Sequence, residues 1–284
     1  MRSFSLALPL LLAMSASGLA APTQCPALFV GGQAPEVANA RMAPKTRELC
    51  YERFGLLHSG MTRTALWVGE HLTRSGVADA REMARVNAFH AEPRLPEGER
   101  AELSDYVRSG YDRGHLAPSG NMPDPDSQEQ SFTLANMIPQ DPDNNRNLWA
   151  AIETAVRDLA ARNGELYVVT GPVFAGAELK SLRGRVLVPS HVFKAVYDPR
   201  SGKASAYLVE NAPGNAWRTV SIQDLRTTTG IDVFPALPPQ VKATLVDLPA
   251  PKARQSRQDR AAQAEPGGSD SLAKSIGKRI MGLW

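Results

Sequence analysis

The 47 residues from Tyr111 to Arg157 constrain this chain more than any others. They open with Asp112-Arg113-Gly114-His115, pass through Asn136-Met137-Ile138-Pro139-Gln140, and close with Asn145-Arg146-Asn147-Leu148-Trp149 and Glu153. The closing part has helical periodicity. Leu148, Ile152, Val156 and Leu159 recur at the spacing of one helix face, which predicts a long helix over 144–162. Asp141 or Asp143 is placed to cap its start, and Asn163-Gly164 to stop it. At about 100° per residue, Asn145 and Glu153 lie about 80° apart around the axis, with Arg157 about 40° further. The three share a polar side next to the apolar stripe.

Flanking segments read mostly as strands. Residues 54–59 and 64–72 bracket a Ser59-Gly60 turn, and residues 165–174, 190–197 and 203–211 are short runs rich in Val, Phe and Tyr. Residues 198–202 form a turn between the last two. A short helix is expected over 80–86, and another from the capping pattern at Ser221 to Gly230. Residues 25–50 read as loop, residues 93–100 as an exposed connector, and residues 124–132 as polar and irregular. The fold class that follows is α+β: a mixed, mostly antiparallel sheet core with the long helix packed on it.

Residues 1–21 carry Arg2, a short apolar run and small residues, the pattern of a secretory signal. An uncleaved anchor is the alternative, although the apolar run is shorter than the roughly 20 residues of a membrane helix. Export, to the periplasm or beyond, makes a disulfide between Cys25 and Cys50 the simplest use of the two cysteines. Residues 22–248 form one domain. Residues 249–271 lack large apolar side chains and read as a disordered linker. Residues 272–284 read as a short amphipathic segment, either touching a membrane or partner or having no role. The tail from residue 249 holds seven Lys and Arg against three Asp and Glu, so the body ahead of it is slightly acidic. Any affinity for phosphate must therefore come from local clusters and a cation.

The central stretch holds the groups that phosphodiester hydrolysis needs. A histidine can take a proton near neutral pH, arginines can balance transition-state charge, and an amide with a carboxylate can hold a hard divalent cation that keeps most of its waters. A calcium loop within 141–153 is excluded, because Arg146 stands at its sixth position where glycine is needed and Ile152 at its twelfth where a bidentate acid is needed. His58, His71, His90 and His191 read as structural or exposed.

In order and spacing, these sub-motifs resemble the DNA/RNA non-specific endonucleases, the family of mitochondrial endonuclease G and secreted bacterial sugar-non-specific nucleases. The likeness extends more weakly over 51–237. It implies a ββα-metal motif and a long metal-bearing helix. His115 would be the general base, Asn145 the one direct ligand of Mg²⁺ (with Mn²⁺ as substitute), and Glu153 a holder of metal-bound water. Asp112 would orient the site, Arg113 and Arg157 would contact phosphate or organise the carboxylates, and Asn136 would position the His115 loop or the substrate. The family also carries an upstream arginine, and spacing from Phe89 and Glu92 puts Asn87 nearer that position than Arg85. DNA and RNA would be the substrates, cleaved with little sequence preference, since every group addresses phosphate. An inhibitor protein and a homodimer are left open. The rival readings are a phosphodiesterase for small nucleotides and a non-catalytic nucleic-acid-binding envelope protein.

Overall fold

The computed structural model describes residues 22–254. The signal and the amphipathic end segment lie outside them. Seven antiparallel strands form the central sheet: β1 (Thr46–Cys50), β2 (Phe54–Ser59), β3 (Thr64–Thr73), β6 (Glu165–Val173), β7 (His191–Asp198), β8 (Lys203–Glu210) and β9 (Trp217–Val220), side by side in that order. Between β3 and β6 the chain leaves the sheet. There it forms helix α1 (Arg74–Glu82), a two-stranded ribbon of β4 (Asp112–His115) and β5 (Met137–Gln140), and helix α3 (Ala150–Asn163). The class is α+β, as expected.

Alternate residues of an extended strand point to opposite faces, and here both faces are covered. Val68, Val168, Val192 and Val209 pack with Ile152, Val156 and Ala160 of α3. Val169, Phe193 and Leu208 pack on the other side with Phe29 and with Leu225 of helix α4 (Ile222–Thr229). This double burial explains why the strands read as nearly unbroken apolar runs. Leu148, Ile152 and Val156 are buried and Leu159 is half-buried against the same core, as the periodicity required.

The long helix starts where Asp141 accepts hydrogen bonds from the backbone of Asp143 and Asn144, at 2.9 and 3.0 Å. It ends at Gly164, whose φ of 105° suits a residue without a side chain. Its second turn is not α-helical: Asn145–Trp149 form a wider π turn, a local departure that often accompanies function.

Four expectations need correction. Helix α1 covers Arg74–Glu82 rather than 80–86. Thr73 caps it by accepting from Gly76 N at 3.1 Å, and Arg74 ties its start to the last carbonyls of α3 through Ala161 O and Arg162 O. Residues 124–132 are not irregular. Helix α2 (Pro125–Ser131) forms there with Asp124 as its cap, and it buries Ser127, Gln128 and Ser131, so no apolar period marks it. Residues 46–50 of the expected N-terminal loop form edge strand β1, paired to β2 and carrying Cys50, which is joined to Cys25. Residues 249–254, expected to begin a linker, lie along α3. Tyr207 Oη donates to Pro249 O, and Asn147 and Asn215 donate to Arg254 O, each at 2.7 Å.

Candidate active site

The ribbon and the long helix enclose one side of a cavity of about 500 Å³, and the extended segment that follows α1 supplies the other. His115, Asp112 and Arg113 reach it from β4; Asn145, Glu153 and Arg157 from the helix; Arg85, Asn87 and Phe89 from the extended segment. Register brings the ribbon and helix together. Asp112 pairs with Gln140 at the end of β5, immediately before the helix begins. Asp112 accepts from Asn145 Nδ2 at 2.9 Å and from Arg146 Nε and Nη2 at 2.8 and 2.6 Å. Burial raises its pKa, but these hydrogen bonds and the charges of Arg146 and Arg113 outweigh that and hold the carboxyl below its usual value.

Gly114 must be glycine, since a Cβ there would come within 2.1 Å of Gln140 Oε1. Gln140 is itself buried and donates to Asn144 Oδ1 at 2.8 Å. The close packing fixes the ribbon and with it the neighbouring His115. That imidazole lies between Phe132 and Phe89, with centroids 5.0 and 5.7 Å away, and its Nε2 is buried without a hydrogen-bond partner. Burial, reinforced by the charges of Arg85 and Arg113, pushes its pKa down to about 3. It is therefore neutral at pH 7.

Asn136 does not line the cavity. It is fully buried, donates to Ala117 O and Ser131 O at 2.8 Å each, and accepts from Ala117 N at 2.9 Å. These hydrogen bonds tie the segment just after His115 to the end of α2. Arg157 donates to Asn121 Oδ1 at 3.1 Å and to Thr154 Oγ1 at 3.0 Å rather than to Glu153. Arg113 stacks on Phe89, 4.1 Å from the ring centroid. Arg85 and Asn87 both line the cavity and bond to each other, Nε to Oδ1 at 2.9 Å. The other four histidines lie outside it: His58 meets Glu99 O, His71 meets Glu165, His90 meets Ala88 O and His191 meets Ser190.

The sequence reading missed the layer beneath the cavity. Glu70 of β3 and Lys194 of β7 are each 1% exposed on the sheet face that α3 covers. Glu70 Oε1 accepts from Asn121 Nδ2 at 2.8 Å, while Oε2 has no partner. Asn121 in turn holds Arg157. Lys194 donates to Thr170 Oγ1 at 2.6 Å and Leu116 O at 3.3 Å. Burial raises Glu70 to about 7 despite Lys194 and Asn121, raises Glu153 and lowers Lys194. Period-2 spacing held a signal: Glu70 falls between inward Val68 and Leu72, and Lys194 between Val192 and Val196.

The donor set suits a hard cation held sparingly. With Asn145 Nδ2 committed to Asp112, its amide oxygen is the acceptor left to the cavity, and Glu153 lies two turns along. Among the described residues, the one cluster of three His, Cys, Asp or Glu within metal-binding distance is Cys25, Glu48 and Cys50, whose cysteines are oxidised to each other. No protein cage competes with a cation that keeps its waters.

Known proteins are similar to this chain in sequence and in fold. The pattern of the DNA/RNA non-specific endonucleases matches residues 36–240. A nuclease of Nostoc sp. is 33% identical over 222 residues, spanning 72% of this chain and 79% of the relative. Human mitochondrial nuclease EXOG is 32% identical, spanning 68% of this chain and 58% of its own length. Nuclease C1 of Cunninghamella echinulata is 32% identical, spanning 66% and 82%. The crystal structure of the EndoG/EndoGI complex, concerned with EndoG inhibition, superposes with a TM-score of 0.59 at 25% identity, covering 69% of this chain and 89% of that one.

Proposed function

The chain belongs to the DNA/RNA non-specific endonuclease family, and from that premise we propose that it hydrolyses both polymers with Mg²⁺ and with His115 as general base. The observation that carries the reading is the cavity itself, in which a neutral imidazole faces Asn145 and Glu153 across the ribbon–helix junction.

His115 acts by taking a proton from the attacking water. Its depressed basicity comes from burial and from two guanidinium groups. A phosphate entering the cavity offsets the charge of Arg85 and Arg113, and so raises the imidazole toward the range where it accepts a proton. Arg113, stacked on Phe89, and Arg85, held by Asn87, then face the phosphate oxygens as charge builds in the transition state. Arg85 thus fills the upstream cation position, with Asn87 as its partner. Asn145 would hold the cation directly and Glu153 through water, while Asp112 fixes the Asn145 amide. When bound, the cation supplies Lewis-acid stabilisation of the phosphate and the leaving oxygen. Asn136 and Gly114 keep the imidazole in place. Arg157, held by Asn121 over Glu70, gives the cavity floor a fixed positive charge.

Digestion of plasmid DNA and of RNA by the purified mature protein tests the reading. Both polymers should be degraded with Mg²⁺, and neither with chelator. Polymers left intact by folded protein with Mg²⁺ and with Mn²⁺ would overturn it. Hydrolysis confined to a dinucleotide would point instead to a small-ester phosphodiesterase. No helix among the described residues is long and apolar enough to cross a membrane. The Cys25–Cys50 disulfide fits an oxidising compartment and supports export with removal of residues 1–21, which N-terminal sequencing of the mature protein checks.

A further inference from the structure

Beyond the last residue matched by the family pattern, residue 240, the chain returns across the outside of α3. Residues 249–254 form a strap fixed at both ends. At one end Tyr207 Oη donates to Pro249 O at 2.7 Å. At the other, Arg254 N donates to Asn147 Oδ1 at 2.8 Å, and Arg254 O accepts from Asn147 and Asn215 at 2.7 Å each. Leu248, just before the strap, and the small Ala253 within it pack against the core.

Between strap and helix lies an open groove of about 450 Å³. Its helix wall carries Arg146, Thr154, Asp158 and Arg162 over the small side chains Ala150, Ala151 and Ala155, and its strap wall carries Lys252 and Arg254. Along the strap, Pro251 and Ala253 are half-buried while Lys252 and Arg254 are exposed. This alternation is that of extended chain, and it sets two cations on one side. Arg146 and Ala150 line both this groove and the catalytic cavity, so the two adjoin.

Three of the groove's charges are not spent internally. Asp158, its one carboxylate, is paired with Arg81 at 2.6 Å, and Arg146 is paired with Asp112. Among the described residues, no carboxylate pairs with Arg162, Lys252 or Arg254. Three free cations along an open groove beside the proposed catalytic cavity are matched by one chemistry, a polyanion with regularly spaced charges.

We propose that this groove is the track for the nucleic-acid strand flanking the scissile phosphate, with Arg162, Lys252 and Arg254 each neutralising a backbone phosphate. The inference rests on the nuclease reading and adds a substrate requirement to it: the protein should prefer strands long enough to lie in the groove over short phosphodiesters. It also gives the strap a task that the shared domain does not supply.

The test compares wild type with a triple variant, Arg162→Gln, Lys252→Gln and Arg254→Gln. Binding of a fluorescent single-stranded 20-mer is followed by anisotropy across a salt series, in a His115→Ala background so that the strand stays whole. Each phosphate contact contributes roughly 0.7 to the slope of log affinity against log salt for single strands. The triple variant should therefore lose about 2 from the slope, and about a hundredfold in affinity at about 0.1 M salt. In the active background, KM for the 20-mer should rise while hydrolysis of bis(p-nitrophenyl) phosphate stays unchanged. A charge-conserving triple, Arg162→Lys, Lys252→Arg and Arg254→Lys, should keep the wild-type slope. An unchanged slope in the glutamine variant, or equal losses on the 20-mer and the small ester, would overturn the proposal. Failure of the wild type to cleave any polymer would refute the nuclease reading instead, and the binding slope reads separately from it.

Discussion

Replacing Glu70 by Gln should change how stability depends on pH while leaving the packing nearly intact. Gln is almost isosteric, and its amide oxygen can keep the bond from Asn121 that Glu70 Oε1 accepts at 2.8 Å. An ordinary glutamate ionises at 4.5, whereas burial raises Glu70 to about 7. Between those values the unfolded chain has released a proton that the native protein keeps. The contribution of Glu70 is thus fully present below about pH 4.5 and is lost as pH rises. Integrated from about pH 5 to about pH 8, the loss is about 2.5 kcal/mol. The glutamine variant does not bear it. Urea unfolding of the mature, disulfide-intact protein in chelator, repeated at several pH values, measures both curves. Relative to wild type, the variant should gain about 2.5 kcal/mol across that range. Parallel curves with a constant penalty would refute the reasoning, because they would mean that Glu70 is ionised throughout and held by Lys194.

Two further predictions concern the parts that hold the site. Asn136→Ala removes three buried hydrogen bonds and strands the Ala117 amide, so it should cost about 2–4 kcal/mol; it should also lower kcat, which thermal melting together with turnover would detect. Asp112→Ala frees the Asn145 amide that it orients at 2.9 Å. The Mg²⁺ concentration for half-maximal activity should rise about 10–100-fold, and a metal titration with unchanged midpoint would contradict the proposed role of Asp112.

The site was legible where its residues obey a local period. Asn145, Glu153 and Arg157 sit on one predicted helix, whose period puts them on one side; His115 is joined to them by the resemblance, and it is the ribbon register that brings it to the same cavity. The chain around them was legible where apolar periods set it, as in the sheet strands and the buried stripe of α3. Where polar groups carry the packing, the pattern is silent. Helix α2 buries Ser127, Gln128 and Ser131, and the strap is held by backbone carbonyls accepting from Tyr207, Asn147 and Asn215. Neither has an apolar signature. Glu70 and Lys194 were read as parts of apolar strands, because their significance is tertiary. They approach the site from strands 124 positions apart in sequence, and only the sheet order brings them under Arg157 and Glu153.

The central claim is that His115 supplies the base. Single-turnover cleavage of a defined oligonucleotide with saturating Mg²⁺ should fall by about 10²–10⁴-fold in His115→Ala, with metal and strand binding unchanged and with partial recovery on adding free imidazole. A variant that cleaves within a few-fold of wild type, or that loses cleavage only because it no longer binds metal or strand, would contradict the account.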